Sequence, residues 1–130
     1  MAYYLDTSAL VKLVVAEHES AVLEDWLHTG VAPVSSDLSR TELVRAVRRV
    51  APDRVQDARA VLDGLILMAI TTSTFEAAGR LTPDSLRSID AIHLAVAMSL
   101  GDDLEGVVTY DERFATAARL QGVHVTAPSS

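Results

Sequence analysis

VVTYDERFATAARLQGVHVT, residues 107–126, decides the fold. Val107–Tyr110 is a short apolar run suited to a buried strand, and Asp111 follows it where a helix needs an N-cap. Glu112–Gln121 then sets Phe114, Ala117, Ala118 and Leu120 at helical steps, and Val123–Thr126 returns to strand character. Strands separated by a helix require a crossover, and such crossovers are right-handed in nearly every known case.

The same unit recurs outward from this stretch. Tyr3–Leu5 is an apolar run ending at Asp6, and Ser8–Ala16 reads as helical. Ser20–Thr29 places Val22, Leu23, Trp26 and Leu27 on one helical face, with Gly30 as its stop. Val31–Ser35 is a second strand, and Ser39–Val50 a helix with Leu43, Val47 and Val50 inward. Ala51-Pro52 breaks that helix, and Pro52 suits the first turn of the next, where Val55, Ala58, Leu62 and Leu65 recur. Met68–Thr72 reads as a third strand and Thr74–Leu81 as a short helix. Ser88–Leu100 is a helix apolar nearly all round, hence buried, with Asp90 and His93 as its notable polar residues. The expected class is α/β: one parallel sheet of four or five strands flanked by helices, with ligands met at the carboxyl ends of the strands. One domain is expected over residues 1–130, with residues 128–130 as a loose tail.

Composition narrows the function classes. A hydrophobic fraction of 49% with 22% charged residues fits a globular domain. The longest apolar run, Leu65–Ile70, is far short of the ~20 residues of a membrane span. No basic segment precedes the first apolar stretch, so a cytoplasmic location is expected. The absence of cysteine excludes disulfides and thiolate metal sites. Net charge is −7, yet Arg40, Arg45, Arg48, Arg49, Arg54 and Arg59 stand against only Glu42, Asp53 and Asp57, leaving +3 there and −10 over the rest. That stretch is either one basic surface on an acidic body or a solvated helical face.

Four carboxylates stand out: Asp6, Glu42, Asp90 and Asp111. Each has a structural reading. Asp6 and Asp111 are placed as N-caps, Ser39-x-x-Glu42 fits a capping box, and Asp90 sits where a helix dipole favours negative charge. Jointly, two end inferred strands and two open helices that start at the same edge, so all four can converge. Clustered carboxylates repel one another unless a cation sits among them. An oxygen-only set suits Mg²⁺ or Mn²⁺, an arrangement known for phosphodiester hydrolysis.

Asp6-Thr7-Ser8-Ala9 resembles the opening motif of PIN-domain nucleases, especially the VapC toxins of bacterial toxin–antitoxin pairs. Ser39-x-x-Glu42-Leu43 is similar to their second acidic motif, and Leu86-Arg87-Ser88-Ile89-Asp90-Ala91-Ile92-His93-Leu94-Ala95 closely resembles their third. Thr109-Tyr110-Asp111-x-x-Phe114 looks like their fourth. The resemblance covers residues 3 to about 126 in order. It implies a PIN-like fold, Mg²⁺ or Mn²⁺ at Asp6, Glu42, Asp90 and Asp111, and Thr7 or Thr109 orienting a ligand or water. It further implies a ribonuclease toxin acting on structured RNA such as tRNA or rRNA, a homodimer, and silencing by a cognate antitoxin. The hydrolysis so implied leaves a 5′-phosphate and a 3′-hydroxyl.

His93 falls one turn beyond Asp90, placed to contact the carboxylate or act on a proton, or else to be a satisfied core residue. Arg87 is placed either for a phosphate or for a structural ion pair. Val61 and Leu65–Met68 exceed the needs of one helix face, which points to a partner or dimer contact or to burial under the third strand. Rival classes fit poorly. A phosphorylation receiver needs a second acid beside Asp6, an Asp after the third strand and a late lysine, whereas the only lysine is Lys12. A dehalogenase-type phosphatase needs an Asp where Ser8 stands. A PIN fold used only for binding, and an RNA-processing PIN nuclease outside a toxin pair, remain as alternatives.

Overall fold

The computed structural model describes residues 1–129. Five strands, β1 (Ala2–Leu5), β2 (Ala32–Ser36), β3 (Ile66–Met68), β4 (Leu104–Val108) and β5 (Val125–Thr126), form one sheet in the order β3-β2-β1-β4-β5. Every pairing is parallel, with Tyr4 opposite Val34 on one side and Val107 on the other. From β1 the chain steps outward through β2 to β3, then returns to the other flank for β4 and β5. The order therefore reverses between β1 and β4, and the crevice beyond their carboxyl ends is where such sheets bind ligands.

Strand alternation divides the core between the two faces of the sheet. Leu5 and Val108 look one way, into Leu10, Leu23, Leu43, Val47 and Leu62 from α1 (Thr7–Lys12), α2 (Ser20–Leu27), α3 (Leu38–Val50) and α4 (Val55–Asp63). Tyr4, Val34 and Val107 look the other way, into Leu94, Val96, Phe114 and Ala118 from α6 (Ser88–Met98) and α7 (Glu112–Leu120). Each fully buried Leu or Val contributes roughly 1.5–3 kcal/mol of transfer free energy, so both faces are strongly specified. α5 (Thr72–Gly79) lies against α6 through Ala78, Ala91 and Ala95. On the first face, Trp26 meets Tyr3 edge-on, with ring centroids 4.7 Å apart.

Several boundaries differ from the sequence expectation. β3 is Ile66–Met68, not Met68–Thr72, and α4 ends at Asp63. The run Leu65–Ile70 has no period of its own, and hydrogen bonding chose its start: Val34, Ser35 and Ser36 of β2 pair with Ile66, Leu67 and Met68. Thr71 instead caps α5 by accepting from the Thr74 N–H at 3.2 Å. The surplus apolar surface is mostly core: Val61, Leu65 and Leu67 pack on one face and Met68 on the other, leaving Ile66 56% exposed on the edge strand. β4 is Leu104–Val108, not Val107–Tyr110, because Leu104 and Gly106 already pair with Ala2 and Tyr3 of β1; at Gly106 the chain before β5 comes close, and a Cβ there would stand 2.8 Å from the His124 carbonyl oxygen. α1 is shorter than Ser8–Ala16, ending at Lys12. Ser130 of the expected tail lies outside the described residues, while the Pro128 carbonyl accepts from the Tyr110 hydroxyl at 2.7 Å.

A candidate active site at the reversal of strand order

Asp6 continues β1 by one residue, its N–H donating to the Val108 carbonyl at 3.2 Å. Extended backbone there (φ −82°, ψ 176°) makes it the N-cap of α1. Its Oδ1 accepts from the Ala9 N–H at 3.1 Å and the Ser8 hydroxyl at 2.6 Å, and its Oδ2 from the Thr109 hydroxyl at 2.5 Å. Asp6 is only 6% exposed. Burial pushes its carboxyl above the usual range, outweighing those bonds, each of which favours the charged form.

Thr109 ties the ends of β1 and β4 together. Besides donating to Asp6, its Oγ1 accepts from the Asp111 N–H at 3.0 Å. The Ser8 hydroxyl supports the same junction by accepting from the Tyr110 N–H at 2.9 Å. Asp111 is the N-cap of α7, its Oδ1 accepting from Arg113 N–H at 2.9 Å and Phe114 N–H at 3.3 Å.

Glu42 is not part of a capping box. α3 opens one residue earlier than expected, after Asp37, and Ser39 is buried inside its first turn, sharing a hydrogen bond with Ser35 at 2.7 Å. Released from that role, Glu42 Oε1 accepts from the Thr7 hydroxyl at 3.0 Å and meets His93 Nε2. His93, 2% exposed, bonds through Nδ1 to the Tyr4 hydroxyl at 2.6 Å. Burial raises the Tyr4 phenol well above its ordinary range, and because a Glu42 carboxylate can only accept, the Nε2–H of His93 faces Glu42. Burial raises the Glu42 carboxyl too, but the His93 bond and charge and the Thr7 hydroxyl outweigh it, for a net lowering.

Asp90 stands in the first turn of α6, half-buried, with no hydrogen bond to its carboxylate among the described residues. It and Asp111 line a hollow of about 350 Å³ with Arg87, Glu112 and Arg113. Burial raises the Asp90 carboxyl, and the charges of Asp111 and Glu42 raise it further against the opposing pull of His93 and Arg87.

The expected residues therefore gather at one edge as two linked networks, Asp6–Thr109–Asp111 and Thr7–Glu42–His93–Tyr4, with Asp90 and Asp111 facing one hollow. Among the described residues, no three carboxylate or imidazole side chains converge closely enough to hold an ion as they stand. Tyr4 went unforeseen, since a strand residue hidden in an apolar run gives no sign of a partner 89 positions away. The arginine stretch divides: Arg40 pairs with Asp37 and Arg54 with Asp57, while Arg45, Arg48 and Arg49 surround a separate hollow.

Comparison with known proteins agrees with the fold. The PIN domain family model matches residues 3–120. Ribonuclease VapC46 of Mycobacterium tuberculosis is 44% identical over 98% of both chains, and Ribonuclease VapC47 of the same species is 39% identical over 98% of this chain and 97% of that one. Among solved structures, the sarcin–ricin loop cleaving toxin VapC20 of M. tuberculosis superposes with a TM-score of 0.78 at 18% identity, covering 98% of this chain and all of that one. A Klebsiella pneumoniae toxin–antitoxin complex gives 0.71 at 20% identity over 98% of each chain. No helix among the described residues is long and apolar enough to cross a membrane.

Proposed function

The chain belongs to the PIN-domain family, among its VapC ribonucleases, and from that premise we propose that it hydrolyses structured cellular RNA, tRNA or rRNA, at the edge built by Asp6, Glu42, Asp90 and Asp111. The observation that carries this reading is the Asp90–Asp111 hollow. It lies at the reversal of strand order, and there Asp90 is burdened by burial and by two like charges. Such a set of carboxylate oxygens suits a hard divalent cation, which Asp90 and Asp111, together with Asp6 and Glu42, would hold. When bound, Mg²⁺ or Mn²⁺ would supply Lewis-acid activation of water and neutralise charge at the phosphate.

The chain's own groups carry the rest. Thr109 holds Asp6 and the Asp111 backbone in one register, and Thr7 with His93 fixes Glu42. Arg87 and Arg113 border the hollow, form no ion pair among the described residues, and are free to meet a phosphate. Kinship with toxins of two-component pairs supports a cognate antitoxin as partner and the cytoplasm as the place of action. A homodimer is the expected working form, and a monomer at every concentration by light scattering would remove it.

The test is cleavage of total cellular RNA by purified protein with Mn²⁺, beside Asp90→Asn and a chelator control. Discrete fragments bearing 5′-phosphates, absent from both controls, are expected. A 2′,3′-cyclic phosphate end would mean attack by the RNA's own 2′-hydroxyl and end the hydrolytic scheme. A binding module without catalysis draws on the lack of three converging ligands among the described residues. Calorimetric titration with Mn²⁺ separates the two, since no binding at neutral pH supports the module.

A further inference from the structure

We propose that Arg45, Arg48 and Arg49 form a phosphate cradle on α3 that grips the RNA strand beside the scissile bond; this rests on the ribonuclease reading above. These three side chains alone line a hollow of about 260 Å³. None forms an ion pair among the described residues, although Arg40 and Arg54 on the same stretch each have an aspartate. Three guanidiniums gathered without an acid repel one another, and an anion between them relieves that repulsion. A lysine cluster would present point charges, whereas arginine forks match phosphate oxygens two at a time.

Placement on the helix identifies the anion. Arg45 and Arg49 lie three and seven residues beyond Glu42, on its stripe of α3 and about 4.5 and 10.5 Å further along the axis. Arg48 lies beside them on the same exposed side, while Leu43 and Val47 face the core. A strand with one phosphate at the acidic edge therefore runs its next phosphates over the three arginines. Outside Arg40–Arg59 the chain carries −10, so a polyanion finds few other footholds. Arg48 and Arg49 also suit the carboxyl end of α3 by the helix dipole, but that accounts neither for Arg45, a turn earlier, nor for the shared hollow.

Filter binding of total tRNA between 50 and 200 mM KCl tests the cradle, with all proteins carrying Asp90→Asn so that the RNA stays intact. The triple change Arg45→Gln, Arg48→Gln, Arg49→Gln should flatten the slope of log K against log[KCl] by about 2 and weaken binding at least about tenfold. Arg80→Gln with Arg119→Gln, a neutralisation of two arginines elsewhere, should move the slope much less. Should the triple variant not fold, Arg45→Gln alone should remove about one unit of slope. An unchanged slope in the triple variant overturns the cradle, even if the protein with Asp90 intact cuts RNA. Conversely, a flattened slope with no cleavage by the Asp90-bearing protein keeps the cradle and removes the ribonuclease reading. Loss of binding to polyglutamate with tRNA binding intact would give the surface to an acidic polypeptide and overturn the RNA assignment.

Discussion

Asp6 and Glu42 sit in closed sets of hydrogen bonds, whereas Asp90, with no hydrogen bond to its carboxylate among the described residues, lines an open hollow with Asp111, the N-cap of α7. Asp6 is bonded through both oxygens by Ser8, Ala9 and Thr109, and Glu42 is held by Thr7 and His93. Asp90 has no such partner among the described residues and feels Asp111 and Glu42 instead. The closed half is built like a core, where a buried polar group must be satisfied. The open half is built like a binding site, left electrostatically strained until something positive arrives. Substituting across the two halves should separate effects on activity from effects on stability.

The largest effect is expected at Asp90. Asp90→Asn keeps the shape of the side chain and removes its charge, so RNA cleavage should fall roughly 10²–10³-fold, the scale of losing one strong electrostatic contributor. Its melting temperature without metal should not fall. Gel assay of cleavage and a thermal melt read the two halves of this expectation, and a variant that cuts as well as the parent removes Asp90 from the site.

His93→Ala probes the closed half. It deletes the link between Tyr4 and Glu42, taking from the buried phenol its bond to His93 and leaving a void beside the core. Stability should drop by about 2–4 kcal/mol in urea unfolding, combining a lost buried hydrogen bond with a cavity. Thr109→Val is milder because shape is conserved. It removes the hydroxyl shared by Asp6 and the Asp111 N–H, for an expected loss of about 1–2 kcal/mol. If Thr109→Val cost as much as His93→Ala, the Asp6 network would be the dominant clasp.

These networks also mark what could be read in the sequence. Asp6 and Asp111 are legible because each follows a short apolar strand and opens a helix, and the structure uses both as N-caps. Their meeting depends on β1 and β4 being neighbours, which the alternation of elements leaves open. Glu42 misleads at the local level. Ser39-x-x-Glu42 has capping-box spacing, but Ser39 bonds back to Ser35 at the end of β2 and Glu42 is drawn to His93, a contact that only the packing of distant elements sets. The limits of β3 were hidden for a related reason, since Leu65–Ile70 is apolar throughout and only pairing with β2 sets its register. His93 is buried in the core, as one reading had it, and the carboxylate it bonds is Glu42 rather than Asp90.

The smallest effect is the most discriminating, because the two halves should respond to pH with opposite sign. The Glu42 carboxyl is lowered in the folded protein: burial opposes this, but His93 and Thr7 prevail. Its contribution to stability is therefore present above the ordinary glutamate range, about pH 4.3, and is lost as pH falls through the lowered folded value. Asp90 is raised, by burial first and then by Asp111 and Glu42. Its contribution is present below the ordinary aspartate range, about pH 3.9, and is lost as pH rises through the raised folded value. At neutral pH without metal, Glu42→Gln should therefore melt below the parent and Asp90→Asn slightly above it. Both gaps should close on acidification, the Asp90→Asn gap at the higher pH because its transition is shifted upward. Melts from pH 3 to pH 8 with a chelator present would show this. Two gaps of the same sign would mean that Asp90 is as well partnered as Glu42, and the division of the site into a closed and an open half would fail.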